Sequence, residues 1–503
     1  MDLRDDGGAA DSERRPDGAS PFDRYEVDPS YFDEMVDAAG SPRPHCQTLA
    51  EAMAELSPDE LQRLHQRVAR SLLHEGITFT VYGDDESIER VFPVDCVPRL
   101  LPASEWALIE RGLIQRVQAL NLFLADVYGP GHILRDGTVP TDLVRGCPNY
   151  RPEMEGVKVP LDAYVSVCGS DIVRAGDAFM VLEDNLRVPS GVSYMLACRQ
   201  AIRRAYPRTF RGCRVRPVEH YGRELRRVLE SLSPVAGSSG IALLTPGVYN
   251  SAYYEHAFLA AETGIELVRG ADLLVERGRL LMRTIRGLRP VDVLYRRVDD
   301  DFIDPQAFRA DSLLGVPGLF EVYRRGNLAM ANAPGTGVAD DKAVYAYVPS
   351  MIRYYLGEEP IIDNVETHLC RESDGLRYTL EHLDELVVKA VGESGGYGML
   401  VGPHASASER AEFAAKIRAD PQNYIAQPTL DLSRAPCLID GRLQPRHVDL
   451  RPFVLHGAET KLVPGGLCRV ALREGSLVVN SSQGGGAKDI WIVDAPNPER
   501  MGS

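Results

Sequence analysis

Between Leu386 and Val401 the chain runs through a hydrophobic strand ending in a lysine, a glycine-rich loop and a second hydrophobic strand (Leu386-Val387-Val388-Lys389-Ala390-Val391-Gly392-Glu393-Ser394-Gly395-Gly396-Tyr397-Gly398-Met399-Leu400-Val401). This pattern requires a β-hairpin, and therefore a sheet for the hairpin to join. A loop of this kind can fold its backbone N–H groups over phosphates while Lys389 supplies a point charge. The same residues would also serve a plain glycine hairpin with a solvated lysine. It is not a Walker A loop, and Gly484-Gly485-Gly486-Ala487-Lys488-Asp489 fails that pattern too, because glycine does not directly precede the lysine and no Ser or Thr follows. No GxGxxG dinucleotide loop is present.

The hairpin sits in a chain of 503 residues, too long for one ordinary core. Hydrophobic content of 44% and charged content of 25% are those of a globular protein. No apolar run reaches the roughly 18 to 20 residues of a membrane-spanning helix, and the N-terminus lacks a signal-peptide core, so a cytoplasmic protein is expected. The nine cysteines are scattered, with no CxxC pair or Cys/His cluster at zinc spacing, which suits reduced, buried thiols. A formal charge of -16 argues against general nucleic-acid affinity.

Residues 1–24 have almost nothing to bury and read as a disordered tail. Residues 25–160 read as an N-terminal helical region. Ser57-Pro58-Asp59-Glu60 offers an N-cap, a first-turn proline and a capping-box Glu, for a helix that runs to Gly76. A second helix starts near Ser104, its apolar stripe carried by Leu108, Ile109, Leu113, Ile114, Val117, Leu120, Leu124 and Val127. Between them Ile77 to Tyr82 reads as a strand followed by a turn. From 161 to 235 strands dominate first: Ala163–Val167 and Ala178–Leu182 flank a polar turn at Arg174 to Asp177. Residues 236–335 alternate, with strands at Ile241–Thr245, Ile265–Val268 and Val291–Tyr295 and a helix from Glu255 to Thr263, the signature of a small parallel α/β unit. Residues 336–490 are again mixed, and 491–503 form a second tail.

Several further positions are candidates for chemistry. Asp171 falls near the end of the first hairpin strand, where pairing can bring it beside Glu183, and Glu183 and Asn185 share one strand face. Two carboxylates and an amide oxygen suit Mg2+, although surface acids at a strand end would look the same. Asp340-Asp341-Lys342 opens a helix with acids in its first turn. Tyr424 to Leu430 is a strand ending at Pro428, and Asp449 and Arg451 share a strand face, with Arg451 suited to clamp a phosphoryl group or carboxylate. The junction Thr245 to His256 lies where parallel sheets bind ligands, but a capped helix with aromatic packing fits it equally well.

Together these parts resemble an ATP-grasp enzyme, with the order of the parts changed. The metal motif Asp171-x11-Glu183-x-Asn185 comes first, a substrate-type α/β unit follows, and the nucleotide clamp with Lys342, Lys389, Gln427 and Arg451 comes last. That order is similar to the circularly permuted ATP-grasp group related to glutathionylspermidine synthase. The runs ITFTVYGDD, EDNLRVPSGVSY, TPGVYNSAYYEHAFLA, LYRRVDDDFIDP, APGTGVADDKAVYAYVP and VVNSSQGGGAKDIW resemble its type 2 branch, over most of residues 25–490.

The resemblance implies an α/β (α+β) circularly permuted ATP-grasp fold with a pre-ATP-grasp-like parallel unit and an N-terminal helical segment. It implies ATP and Mg2+ as cofactors and an ADP-forming carboxylate–amine ligase that passes through an acyl phosphate. Lys342 and Lys389 would hold the phosphates, and Ser394, Gly395, Gly396 and Gly398 would close over them. Ile425 and Gln427 would form the adenine hinge, with Gln427 near the exocyclic amine. Asp171, Glu183 and Asn185 would bind Mg2+, and Arg451 and Arg187 would face the γ-phosphate and the developing acyl phosphate. Tyr249, Asn250, Ser251, Tyr253, Glu255, Arg296, Asp299 and Asp300 look like substrate-side positions. The family also suggests an α-helical partner protein. Two alternatives stand beside the ligase: a nucleotide-binding partner protein without turnover, and phosphoryl transfer to a non-carboxylate acceptor.

Overall fold

The computed structural model describes residues 21–22, 25–82, 87–237, 240–392, 398–477, 479 and 485–494. The expected tails at 1–24 and 491–503 fall almost wholly outside these residues. Phe22, however, packs against the core, and Ile492 and Val493 belong to a strand.

The local signals at the start of the chain hold. Ser57 caps the helix Pro58–His74 through a reciprocal capping box with Glu60, and Gly76 follows at φ +68°. The long helix Ala103–Val127 buries Trp106, Ile109, Leu113, Val117, Leu120, Phe123 and Leu124. It also buries Gln115, Arg116 and Asn121, so its inner face carries polar groups whose partners must come from elsewhere in the fold.

Three sheets frame the central region. A five-stranded sheet is ordered Asp363–Asn364, Ala178–Asn185, Val167–Ala175, Phe453–His456 and Thr460–Leu462. A four-stranded sheet runs His368–Leu369, Tyr424–Pro428, Leu386–Ala390 and Met399–Val401, antiparallel throughout. A second four-stranded sheet, Ala329–Ala331, Val293–Arg296, Ile241–Leu244 and Glu266–Val268, is parallel throughout, with the helix Tyr253–Thr263 in one crossover. This is the expected α/β unit. The lysine hairpin's sheet has a small core of its own, built from Cys370, Leu383, Leu386, Val388, Leu400, Ala414, Ile417 and Ala426. Near the ends of the chain, Gly486–Val493 pairs in parallel with Val94–Pro102.

Two strands differ from the sequence reading. The first hairpin strand spans Val167–Ala175 rather than Ala163–Val167. The backbone of Val165 donates instead to Asn121 Oδ1 at 2.8 Å, and Ser166 and Val167 donate to Asn332 Oδ1, each at 2.8 Å. Buried side-chain amides thus satisfy backbone groups that a β-branched run would ordinarily hand to a sheet partner. The stretch Val291–Tyr295 is divided between an antiparallel strand, Gly287–Val291, and the parallel strand Val293–Arg296. Asp292 and Val293 both donate to Gly240 O at the division. All nine cysteines are free and buried, and among the described residues no helix is long and apolar enough to cross a membrane.

Asn332, 1% exposed, completes a four-way junction by donating from Nδ2 to Val167 O and Leu186 O, each at 2.7 Å. Replacing it with alanine leaves four buried backbone groups unsatisfied, so Asn332→Ala should lower stability by about 3–5 kcal/mol. Urea unfolding monitored by circular dichroism measures this. A loss below about 1 kcal/mol would show that the junction relaxes without it.

Candidate active site

The hairpin Val167–Ala175/Ala178–Asn185 pairs Asp171 with Glu183 and Gly169 with Asn185, and the register breaks just after Asp171. Strand alternation then separates two polar sets. Asp184 turns to the core, where Arg116 Nε lies 2.7 Å from Oδ2 and Ser170 Oγ lies 2.7 Å from Oδ1. Glu183 and Asn185 take the opposite, partly open face. Asn185 donates to Gly169 O at 3.0 Å, which leaves its amide oxygen as the ligand end.

Asp171 is almost fully buried between two guanidinium groups. Arg451 reaches both its oxygens, Nη2 at 2.8 Å from Oδ2, and Arg469 Nη2 lies 2.6 Å from Oδ2. Arg469 is itself gripped by Asp449, with Nε 2.9 Å from Oδ2. Burial would raise the Asp171 pKa, but Arg451 and then Arg469 overcome it and hold the carboxyl well below its ordinary range. Glu183 behaves oppositely. Burial and then the charge of Asp171 push it up against the pull of Lys342, Lys389 and Arg451. Two carboxyl groups and an amide oxygen on neighbouring strands make a hard-oxygen donor set, so Glu183, Asn185 and Asp171 fit a divalent cation chemically.

The lysines arrive from the other side. In Leu386–Ala390 the residues Leu386, Val388 and Ala390 are buried while Val387 and Lys389 are half-buried, the alternation that presents Lys389 to the cleft. Its Nζ donates to Gln427 Oε1 at 2.7 Å, and Gln427 Nε2 donates to Thr367 Oγ1 at 3.0 Å. Desolvation and nearby Lys342 depress Lys389 to about 8, with Glu183 and Asp171 opposing. Lys342 opens the short helix Lys342–Tyr345, whose cap Asp341 accepts from the backbone of Ala343 and Val344. Asp341 is therefore a structural cap. Asp340 binds Arg187, with Oδ2 3.1 Å from Nε, and accepts from the backbone of Leu186 and Arg187.

The structure thus brings the charges of Asp171, Glu183, Lys342, Lys389 and Arg451 close enough to act on one another, with Asn185 two residues from Glu183 on the same strand. Arg187 lies near Asp340, Asp299 and Asp300. Ile425 pairs with Lys389 across the lysine sheet. Gln427 is 2% exposed, and its amide is spent on Lys389 and Thr367 in this structure. Gly398 closes the loop at φ +64°, and Ser394, Gly395 and Gly396 lie outside the described residues.

The substrate-side positions divide. Tyr249 is 98% exposed, Ser251 and Asp299 are exposed, Tyr253 opens a helix, and Asn250 Oδ1 accepts from Ala252 N at 2.9 Å. Three others are core ties. Glu255 accepts from Gly191 N, Ser193 N, Ser193 Oγ and Arg297 Nη2, and so serves the start of the helix Val192–Ala205. Arg296, 0% exposed, donates to Asn332 O, Val298 O and Ala333 O and pairs with Asp300 at 2.7 Å. Asp300 also accepts from Gly335 N. Their polar atoms serve this packing because buried charges must be neutralised where they lie.

Sequence reasoning missed Arg469 and Thr367, whose partners are distant in the chain. It also gave no hint of His65, Asp95 and Cys96, whose ligand-type atoms lie within 4.8 Å of one another. There Asp95 accepts from Leu438 N and from the buried ammonium of Lys488, so its charge is already balanced.

The family described as "Circularly permuted ATP-grasp type 2" matches residues 98–471, more than half of the chain. An uncharacterised protein of Synechocystis sp. is 53% identical over 92% of this chain and 97% of its own length. A Frankia alni protein named "Putative glutamate--cysteine ligase 2-3" is 42% identical over 96% of this chain but only 56% of itself, so the chain corresponds to about half of that relative. The solved glutathione synthetase-like effector of Globodera pallida aligns at a TM-score of 0.55 and 11% identity, covering 87% of this chain and 98% of that one, a likeness of fold alone. With the family match and the 53%-identical relative, the chain belongs to the circularly permuted ATP-grasp type 2 family.

Proposed function

We propose that the chain is an ATP- and Mg2+-dependent carboxylate–amine ligase that forms an amide through an acyl phosphate. The observation that carries this reading is the meeting of the acidic hairpin with Lys342 and Lys389, close enough that both lysines pull on Glu183 while Glu183 and Asp171 pull on Lys389. A carboxylate needs no base to act as a nucleophile at neutral pH, so positioning and charge neutralisation suffice. A substrate carboxylate would displace ADP from the γ-phosphorus, and an amine would then displace phosphate from the acyl group. Lys342 and Lys389 would neutralise phosphate oxygens and Arg451 the developing charge, while the strand carrying Ile425 and Gln427 would line the base. Glu183, Asn185 and Asp171 would hold Mg2+, which would supply neutralisation of the nucleotide's phosphate charge.

The Frankia relative's name makes glutamate and cysteine the first substrates to try, followed by peptides and polyamines. An α-helical partner protein and a cytoplasmic setting belong to the same proposal. With ATP, Mg2+ and hydroxylamine, a productive carboxylate should yield a hydroxamate and ADP. ATP binding without any trapped acyl species across the panel would favour a nucleotide-binding partner protein instead, and ADP release without hydroxamate would favour phosphoryl transfer to another acceptor.

Two substitutions separate the halves of the site. Lys389→Ala should weaken Mg·ATP binding about 10- to 100-fold, the range of a lost charge-assisted contact. Glu183→Gln should mainly abolish turnover, and full activity in that variant would remove the metal assignment.

The depressed Lys389 pKa also sets a sign. The protonated amine is the form that binds phosphate, and a bound anion raises its pKa. Nucleotide affinity should therefore be level well below pH 8 and decline above it, by up to about tenfold per pH unit. Calorimetry from pH 6.5 to 9.5 checks this, and Lys389→Arg should flatten the profile.

A further inference from the structure

The two guanidinium groups on Asp171 are not equivalent. Arg469 is 7% exposed and uses both Nε and Nη2 on Asp449 while Nη2 also reaches Asp171. It cannot leave without stranding Asp449, itself 1% exposed. Arg451 has no comparable anchor. Apart from Asp171 it donates to Ser190 O at 3.3 Å and lies 3.9 Å from Glu183, and its side chain keeps 13% exposure at the cleft. Gly169 leaves room for its stem, because a Cβ there would lie 3.2 Å from Arg451 Cδ.

A terminal phosphate and Asp171 would compete for Arg451. Without Arg469, the departure of Arg451 would leave the buried Asp171 with no guanidinium partner and only the proposed Mg2+ to balance it, so the exchange would be opposed. We propose that Arg469 is a positioning residue, the fixed counter-charge of Asp171 that frees Arg451 to turn from Asp171 to the terminal phosphate of a bound nucleotide. This rests on the nucleotide site proposed above.

The γ-phosphate distinguishes ATP from ADP, so the test is the ratio of their affinities, measured by calorimetry with Mg2+ and without any substrate. The wild-type protein should prefer ATP by about tenfold or more, the contribution of one charge-assisted contact. Arg451→Met should reduce the ratio to below about threefold while Mg·ADP binding stays within about threefold of wild type. Arg469→Met should do the same, although the Arg469 guanidinium is committed to Asp449 and Asp171, and Arg469→Lys should restore the preference. The Arg451→Met/Arg469→Met double variant should lose no more than Arg451→Met alone, because both act on one exchange.

Arg469→Met leaves Asp449 unpaired. If that variant fails to fold, Arg469→Met combined with Asp449→Asn removes both charges and carries the same expectation. A wild-type ratio in Arg469→Met or in Arg469→Met/Asp449→Asn, additive losses in Arg451→Met/Arg469→Met, or a wild-type protein with no ATP preference would each overturn the proposal. A wild-type protein that binds neither nucleotide would instead overturn the nucleotide site, and this inference with it.

Discussion

The position of the candidate site depends on the side-chain amide of Asn332. Its oxygen takes the N–H groups of Ser166 and Val167, and its nitrogen takes the carbonyls of Val167 and Leu186. These four bonds hold the beginning and the end of the acidic hairpin to the loop that leaves the parallel sheet. The same loop continues through Gly335, tied to Asp300, to Asp340 and Lys342. Without this junction the metal-type carboxylates, Arg187 and Lys342 would have no common frame. A hydrogen bond is worth little net, but a buried backbone group left unpaired is costly, so the junction specifies geometry more than it adds stability.

Electrostatics then divides the site into settled and unsettled charges. Asp171, Asp449, Arg451 and Arg469 form a closed set of two anions and two cations. Asp184 and Arg116 form another, on the far face of the hairpin. Such pairs roughly offset their own desolvation. Glu183 and Lys389 are different, because burial pushes both toward their neutral forms. A carboxyl inclined to hold its proton and an amine inclined to lose one are groups poised for ligands of opposite charge. A divalent cation and a polyphosphate are such ligands, which is why the unsettled pair, rather than the buried ion pairs, marks the candidate site.

How much of this was legible in the sequence depends on the range of the interactions. The Ser57–Glu60 capping box, the lysine hairpin and the pairing of Asp171 with Glu183 were readable because their partners lie within a turn or a hairpin. The strand expected at Ala163–Val167 was misplaced because Asn121 and Asn332, far off in the chain, supply the bonds a strand partner would have given. Glu255 and Arg296 stand among the substrate-side positions that the resemblance implies. Their inward direction was set by Gly191, Ser193 and Arg297 in one case and by Asn332, Ala333 and Asp300 in the other.

The sequence by itself determined the kinds of unit this chain builds, because hydrophobic period, turn residues and caps act over a few positions. It also determined which strands carry Glu183 and Lys389. Only the tertiary structure decided which of those charges are already neutralised. Arg469 lies one strand residue from Cys468 and Val470, with nothing local to distinguish it, yet it settles the charge of an aspartate 298 positions away. Whether a buried charge is free to meet a ligand depends on what else shares its low-dielectric surroundings, and that is a property of the packed chain alone.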